Sequence, residues 1–314
     1  MAPPRQPVPD LAGRTVVVTG TTSGLGLALS GALARAGARV LMTVRDPERG
    51  ASALAWVRDG ITGAGSAETV RLDLADLASV RAAAADIRER AGDRVDVLVN
   101  NAAVSLGPRQ LTRDGFELQI GTNHLGPAAL TWLLMPALRA AGTPERPARV
   151  VTTSSLGHRT GGLDPADLHW ERRSYSPTRA YGASKLANLL FAAELDRRLR
   201  RADDPVLSVA AHPGLTTSQL LANALARGGT WKTRLYALPE RYLSQPVTDG
   251  ILPQLLAATG PVGGGDYLGP TRLFGARGPA GPAKRSATAR DPRLAAELWR
   301  ATAAATGVAP DPGE

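Results

Sequence analysis

The stretch Thr15-Val16-Val17-Val18-Thr19, running straight into Gly20-Thr21-Thr22-Ser23-Gly24-Leu25-Gly26, decides the fold. Its first half is β-branched without polar alternation, the pattern of a short strand buried on both faces. The glycines that follow are spaced Gly-x-x-x-Gly-x-Gly. They let a backbone approach a pyrophosphate closely, and the N–H groups opening the next helix supply donors and positive dipole. A tight structural turn is the alternative for the loop taken alone. Residues 27–36 then read as a helix with a stop at Gly37, and residues 39–44 as a second strand. Strand, glycine loop, helix and strand in about thirty residues make a right-handed βαβ unit.

The alternation continues outward. Residues 48–58 read as a helix, 69–72 as a strand, 77–90 as a helix and 95–99 as a fourth strand. Residues 114–140 read as mostly helical, 149–153 as a fifth strand, 180–200 as a helix and 206–211 as a sixth strand. This predicts an α/β, Rossmann-type doubly wound parallel sheet with helices on both faces, in a single domain. Residues 1–13 form a loose lead-in, 14–270 the dinucleotide-binding and catalytic domain with a lid at 215–245, and 271–314 a C-terminal extension packing on it.

Composition narrows the function. The chain has 314 residues, 43% hydrophobic and 21% charged, which suits a globular protein with a large core. No run of 18 apolar residues occurs, and the proline-rich start has no apolar core of a signal peptide. With no cysteine there is no disulfide, thiol nucleophile or thiolate metal site. The expected compartment is the cytoplasm. The formal charge of +9 raises nucleic acid as a partner, but the basic residues are dispersed and aromatics are only 4%. The four histidines, His124, His158, His169 and His212, lack metal-ligand spacing. Neither nucleic acid nor metal is expected.

The strand ends carry the chemistry. Arg45 closes the second strand where a carboxylate would bind a ribose 2'-hydroxyl, and its guanidinium suits a 2'-phosphate; Asp46, next to it, keeps the opposite preference open. Asp73, with Leu74, follows the third strand and could reach an adenine edge or cap the next helix. Asn100-Asn101-Ala102-Ala103 leaves the fourth strand with small residues and amides that fit under a cofactor. Asn123 could anchor a relay water or bridge helix turns. The fifth strand delivers Thr152-Thr153-Ser154-Ser155 to the carboxyl edge, and the sixth runs into His212-Pro213-Gly214-Leu215-Thr216, where Thr216 could hold a carboxamide or belong to a plain loop. On a helix, Tyr181 and Lys185 share one face. An ammonium beside a phenol favours the phenolate, which makes the pair an acid/base device for an alcohol oxygen. The chain has three lysines, Lys185, Lys232 and Lys284, so a lysine at this position is selective.

Together, Thr19-Gly20-x-x-x-Gly24-x-Gly26, Asn100-Asn101-Ala102, Asn123, Ser155, Tyr181-x-x-x-Lys185 and Pro213-Gly214 resemble the short-chain dehydrogenase/reductase family over residues 11–218. Val44-Arg45-Asp46, Asn123-His124-Leu125-Gly126, Tyr181 through Asn188, and the tail from Ser286 through Trp299 are similar to its retinol dehydrogenase-like branch. The resemblance implies that Tyr181 is the general acid/base and that Lys185 lowers its pKa and binds the nicotinamide ribose. It further implies that Ser155 orients the substrate oxygen and Asn123 holds a relay water. The cofactor set is then Gly20, Thr22, Ser23, Gly24, Leu25, Gly26, Arg45, Asp73, Leu74, Asn101, Ala102, Ala103, Tyr181, Lys185, Pro213, Gly214 and Thr216, with NADP(H) favoured over NAD(H). The chain departs from the family at Ala103, where glycine is usual, at Thr152 and Thr153, and at Pro127. The expected activity is interconversion of a carbonyl and an alcohol on a lipophilic small molecule. Leu163, Leu168 and Trp170 on one side, and the 220–243 stretch with Trp231 and Tyr236 on the other, could wall its pocket or pack a lid or subunit contact. A symmetric dimer or tetramer is the default assembly. The rival function is a catalytically silent cofactor-binding scaffold or redox sensor on the same fold.

Overall fold

The computed structural model describes residues 8–105, 107–216 and 244–313. Alternating strands and helices build one sheet: β1 (Thr15–Thr19), β2 (Arg39–Val44), β3 (Ser66–Arg71), β4 (Val97–Asn100), β5 (Ala148–Thr153), β6 (Val206–Ala211), β7 (Tyr267–Arg272) and β8 (Arg277–Pro282). Its order is β3-β2-β1-β4-β5-β6-β7-β8. The strands are parallel up to β7, and β8 returns antiparallel beside it. The expectation of an entirely parallel six-stranded sheet is thus corrected at this edge. Tyr267–Arg272 and Arg277–Pro282 hold glycine and proline, and neither shows strand periodicity. β8 is the edge strand, and β7 pairs with β6 only at Tyr267 and Leu268, so much of their backbone needs no second ladder partner.

The valines of β1 explain the two layers. Val16, Val17 and Val18 are all fully buried. Val17, Leu41, Leu98 and Val150 pack against the helices α3 (Leu77–Arg90) and α4 (Gly126–Ala141). Val16, Val18, Val40, Met42 and Val151 face α1 (Gly24–Arg35) on the other side. Burial of each such side chain stabilises by about 1.5–3 kcal/mol. The second helix, α2 (Pro47–Asp59), is started by Asp46, whose carboxylate accepts the N–H groups of Glu48 and Arg49. Residues 8–13 are not loose: Leu11 is buried, and its N–H donates to the Ala36 carbonyl at 2.7 Å.

Helix boundaries differ where local chemistry intervenes. The stretch expected to be helical from Asp114 starts at Leu118 and passes through a π-helical turn, Gly121–Leu125, before α4. In that turn the Gly126 N–H bonds back five residues to the Gly121 carbonyl. The next helix, α5 (Pro177–Arg201), begins three residues earlier than expected, with proline at its first position. The helix α6 (Leu252–Thr259) covers the sheet, and α7 (Pro292–Thr306) lies on α5. The 220–243 stretch lies outside the described residues. Among the described residues no helix is long and apolar enough to cross a membrane.

At the α5–α7 contact, Trp299 stacks on Phe191 at 5.3 Å and meets Trp132 edge-on at 4.9 Å. The Arg198 guanidinium covers the same ring at 4.8 Å. Trp299→Ala should therefore cost about 3–5 kcal/mol of unfolding free energy in denaturant titrations. A loss below about 1 kcal/mol would show that α7 is not part of the cooperative core.

Candidate active site

The glycine loop is held by what a side chain would hit. Gly20 and Gly24 have positive φ values of 71° and 57°. A Cβ on Gly26 would lie 2.2 Å from the Gly20 carbonyl and 2.7 Å from the Asn101 amide, so the helix start can seat only with glycine there. A Cβ on Gly24 would meet nothing within 4 Å, which puts open space above the loop. Ser23 takes the N-cap position of α1 without a side-chain hydrogen bond, leaving the first-turn N–H groups as donors toward that space.

A cleft with a cavity volume of about 280 Å³ runs along this loop. It is lined by Gly20, Thr22, Ser23, Gly24, Leu25 and Gly26, by Arg45, Asp46 and Arg49 at the end of β2, by Asp73 and Leu74, and by Asn101, Ala102 and Ala103. Backbone donors at one helix start, two guanidinium groups at the neighbouring strand end and small residues beneath fit a dinucleotide phosphate set. Arg49 was not singled out in the sequence, although it stands one helical turn beyond Arg45. Asp46 is occupied as the cap of α2, which turns its carboxylate to the helix rather than leaving it open to a ribose. Asp73 accepts from the Ala75 N–H at 2.9 Å; the cap of α3 is Asp76, not Asp73.

The β4 exit is tied down on three sides. The Asn101 N–H and the Ala102 N–H both donate to the Thr19 hydroxyl at 2.9 Å. The Asn101 amide donates to the Thr19 carbonyl at 2.9 Å. In the π-turn, the Asn123 oxygen accepts the Val104 N–H at 2.8 Å, while its amide donates to the Val104 carbonyl at 2.9 Å and to the Ser184 hydroxyl at 3.0 Å. The side chain bridges a loop to α5 rather than two turns of one helix. Gln254 on α6 was missed: its amide donates to Thr153 Oγ1 at 2.8 Å and to Asn101 Oδ1 at 3.0 Å, joining the β4 and β5 ends. A lone buried amide inside the apolar run Leu252-Pro253-Gln254-Leu255-Leu256 was the available signal.

Ser155, Tyr181 and Lys185 come together at the carboxyl end of β5. Ser155 Oγ and the Tyr181 ring meet at Gly157, where a Cβ would lie 3.6 Å from the one and 3.3 Å from the other, and the serine hydroxyl accepts the Gly157 N–H at 3.1 Å. Ser154 points the other way, its hydroxyl donating to the Lys185 carbonyl at 2.8 Å. Lys185 is 2% exposed; its ammonium donates to the Thr153 carbonyl at 3.3 Å and lies 5.7 Å from the Tyr181 ring centre. Burial lowers the Lys185 pKa to about 8. For Tyr181, burial raises the phenol pKa and the nearby Ser155 hydroxyl opposes it. Small residues permit the approach. A Cβ on Gly161 would fall 2.1 Å from the Ala183 nitrogen, and one on Gly157 would fall 3.3 Å from the Tyr181 ring.

Pro213, Gly214 and Thr216 follow β6 and do not line the cleft. Gly214 has a φ of 72°, and a Cβ there would reach the Ala276 carbonyl at 2.3 Å. Gln245 holds the loop by donating to the Pro213 carbonyl at 2.9 Å, and Thr216 bridges to Gln245. Leu168 and Trp170 are buried, Trp170 against Ala180 and Ala183 of α5, so both belong to packing rather than to an open wall.

The short chain dehydrogenase model matches residues 14–227. Polyprenol dehydrogenase of Mus musculus is 41% identical over 221 residues, which are 70% of this chain and 65% of that protein. Retinol dehydrogenase 13 of Homo sapiens is 36% identical over 221 residues, 70% of this chain and 64% of that one. The matched stretch thus spans less than two thirds of the length of either relative. A crystal structure of an uncharacterized protein from Mycobacterium paratuberculosis superposes with a TM-score of 0.77 at 41% identity, covering 96% of each chain. With the glycine loop, the amide-tied β4 exit and the Ser155–Tyr181–Lys185 cluster in one sheet edge, these likenesses make the chain a member of the short-chain dehydrogenase family, in its retinol dehydrogenase-like branch.

Proposed function

We propose that this chain is an NADP(H)-dependent oxidoreductase interconverting a lipophilic aldehyde or ketone and its alcohol. The observation that carries the reading is the convergence of Ser155 and Tyr181 at Gly157, beside the buried Lys185. Leaving an ammonium buried against one backbone carbonyl is costly, and a fold with no use for it would replace it. The cofactor, held by Gly20, Thr22–Gly26, Asn101–Ala103 and Lys185, supplies the hydride acceptor or donor when bound.

The chain's own groups handle the oxygen. Ser155 Oγ donates to the substrate oxygen and fixes its direction. Tyr181 Oη gives a proton to that oxygen in reduction and takes one in oxidation. Lys185 keeps a positive charge in the same volume. Asn123 and Gln254 hold the two strand ends at fixed spacing. Pro213, Gly214 and Thr216 would border the carboxamide end. Arg45 and Arg49 offer two guanidinium groups to a 2'-phosphate while Asp46 is spent on its helix, which supports NADP(H) over NAD(H). The lipophilic substrate class draws on the relatives named for polyprenol and retinol.

Tyr181→Phe should lower turnover of a panel of hydrophobic aldehydes and ketones, followed by nicotinamide absorbance, about 10²–10⁴-fold while NADPH still binds. Turnover equal to the parent protein would remove the phenol from the mechanism and favour the silent scaffold. Arg45→Ala and Arg49→Ala should each weaken NADPH binding by about tenfold or more, with little effect on NADH. Equal losses for both cofactors would remove the basis for the 2'-phosphate assignment.

A further inference from the structure

Behind Ser155 lies a histidine that the proposed chemistry does not use. His158 is 1% exposed, in the short 3-10 turn Leu156–Arg159 that Ser155 caps. Its Nδ1 is 2.7 Å from the Ser155 carbonyl oxygen, and its Nε2 accepts the Ser286 N–H at 3.3 Å. Burial lowers its pKa, so the ring is neutral at ordinary pH. A neutral imidazole has one N–H. Because Nε2 faces a donor, the proton sits on Nδ1 and is donated to Ser155. The ring is kept in place from the side by Tyr267, edge-on at 5.9 Å.

These contacts bear on the peptide that carries the serine. The Ser155 carbonyl also accepts the His158 N–H at 3.1 Å. Two bonds on one carbonyl fix the 155–156 peptide plane, and with it the direction of the Ser155 side chain toward Tyr181. The far end is anchored as well. Ser286 accepts the Ala289 N–H at 3.2 Å, just ahead of the turn Thr288–Arg290 that leads into α7. The C-terminal segment therefore reaches the serine through one imidazole.

We propose that His158 is a positioning residue for Ser155, aiming the serine hydroxyl by holding its carbonyl and coupling that aim to the C-terminal segment at Ser286. The inference rests on the reading of Ser155 as the group that orients the substrate oxygen. A purely structural histidine would matter through its volume. A positioning histidine matters through the one nitrogen that faces Ser155, and the two can be separated. Asparagine places an N–H near the position of Nδ1, whereas glutamine places its amide near Nε2 and leaves the Ser155 carbonyl without that donor.

The test compares His158→Asn, His158→Gln and His158→Phe with Ser155→Ala in the full chain, using NADPH-dependent reduction of all-trans-retinal. Ultraviolet difference titration of tyrosinate, referenced to Tyr181→Phe, gives a readout that needs no turnover. His158→Asn should keep kcat within about twofold. His158→Gln and His158→Phe should lose about tenfold in kcat with NADPH affinity unchanged. Their Tyr181 titration should move upward, in the direction that Ser155→Ala moves it. Should asparagine and glutamine behave alike, or should the glutamine variant leave both kcat and the Tyr181 titration unmoved, His158 does not aim the serine. Should Ser155→Ala itself leave turnover and titration unchanged, it is the reading of the active site that fails.

Discussion

Thr153, the last residue of β5, is the point on which the site depends. Its carbonyl receives the Lys185 ammonium and the Asn188 amide, and its hydroxyl receives the Gln254 amide. A strand that ends in the middle of a parallel sheet has carbonyl groups with no ladder partner. Here the Thr153 carbonyl is met by one charged and one amide donor from α5, and its hydroxyl by an amide donor from α6. The ammonium is worth its desolvation only if that carbonyl and the neighbouring phenol are held still. Everything nearby is arranged to that end: Ser154 locks to the Lys185 backbone, and Gly157, Gly161 and Gly182 let the following loop close on α5.

The same economy of contacts explains the rest of the carboxyl edge. The Thr19 hydroxyl serves two backbone N–H groups of the β4 exit, and Asn123 serves both polar groups of Val104. The π-turn at Gly121–Leu125 is what brings Asn123 around to that loop. A regular helix through the same residues would shift its side chain about 100° around the axis. The irregular backbone is thus where the fold is shaped to the site rather than to its own core.

Much of this was legible in the sequence. The buried valines of β1, the glycine spacing and the regular alternation sufficed for the sheet and its layers, because each is a local pattern with a single structural solution. Tyr181 and Lys185 could be placed on one helix face from periodicity, and Ser155 came from the family resemblance. Three things were not legible. The last two strands, β7 and β8, carry glycine and proline, and only the sheet next to them makes them strands. The π-turn passes close to Thr112 and Leu74, where a Cβ on Gly121 or Gly126 would clash, a tertiary fit that no window of sequence displays. The burial of Tyr181, which raises its phenol pKa, is a tertiary fact.

A crystal structure of the chain with NADP and a bound lipophilic alcohol would examine the central claim most directly. The account predicts the alcohol oxygen within hydrogen-bonding distance of both the Ser155 and Tyr181 hydroxyls, with its carbon facing the nicotinamide ring. An alcohol seated elsewhere, with those two hydroxyls bonded only to each other, would contradict it.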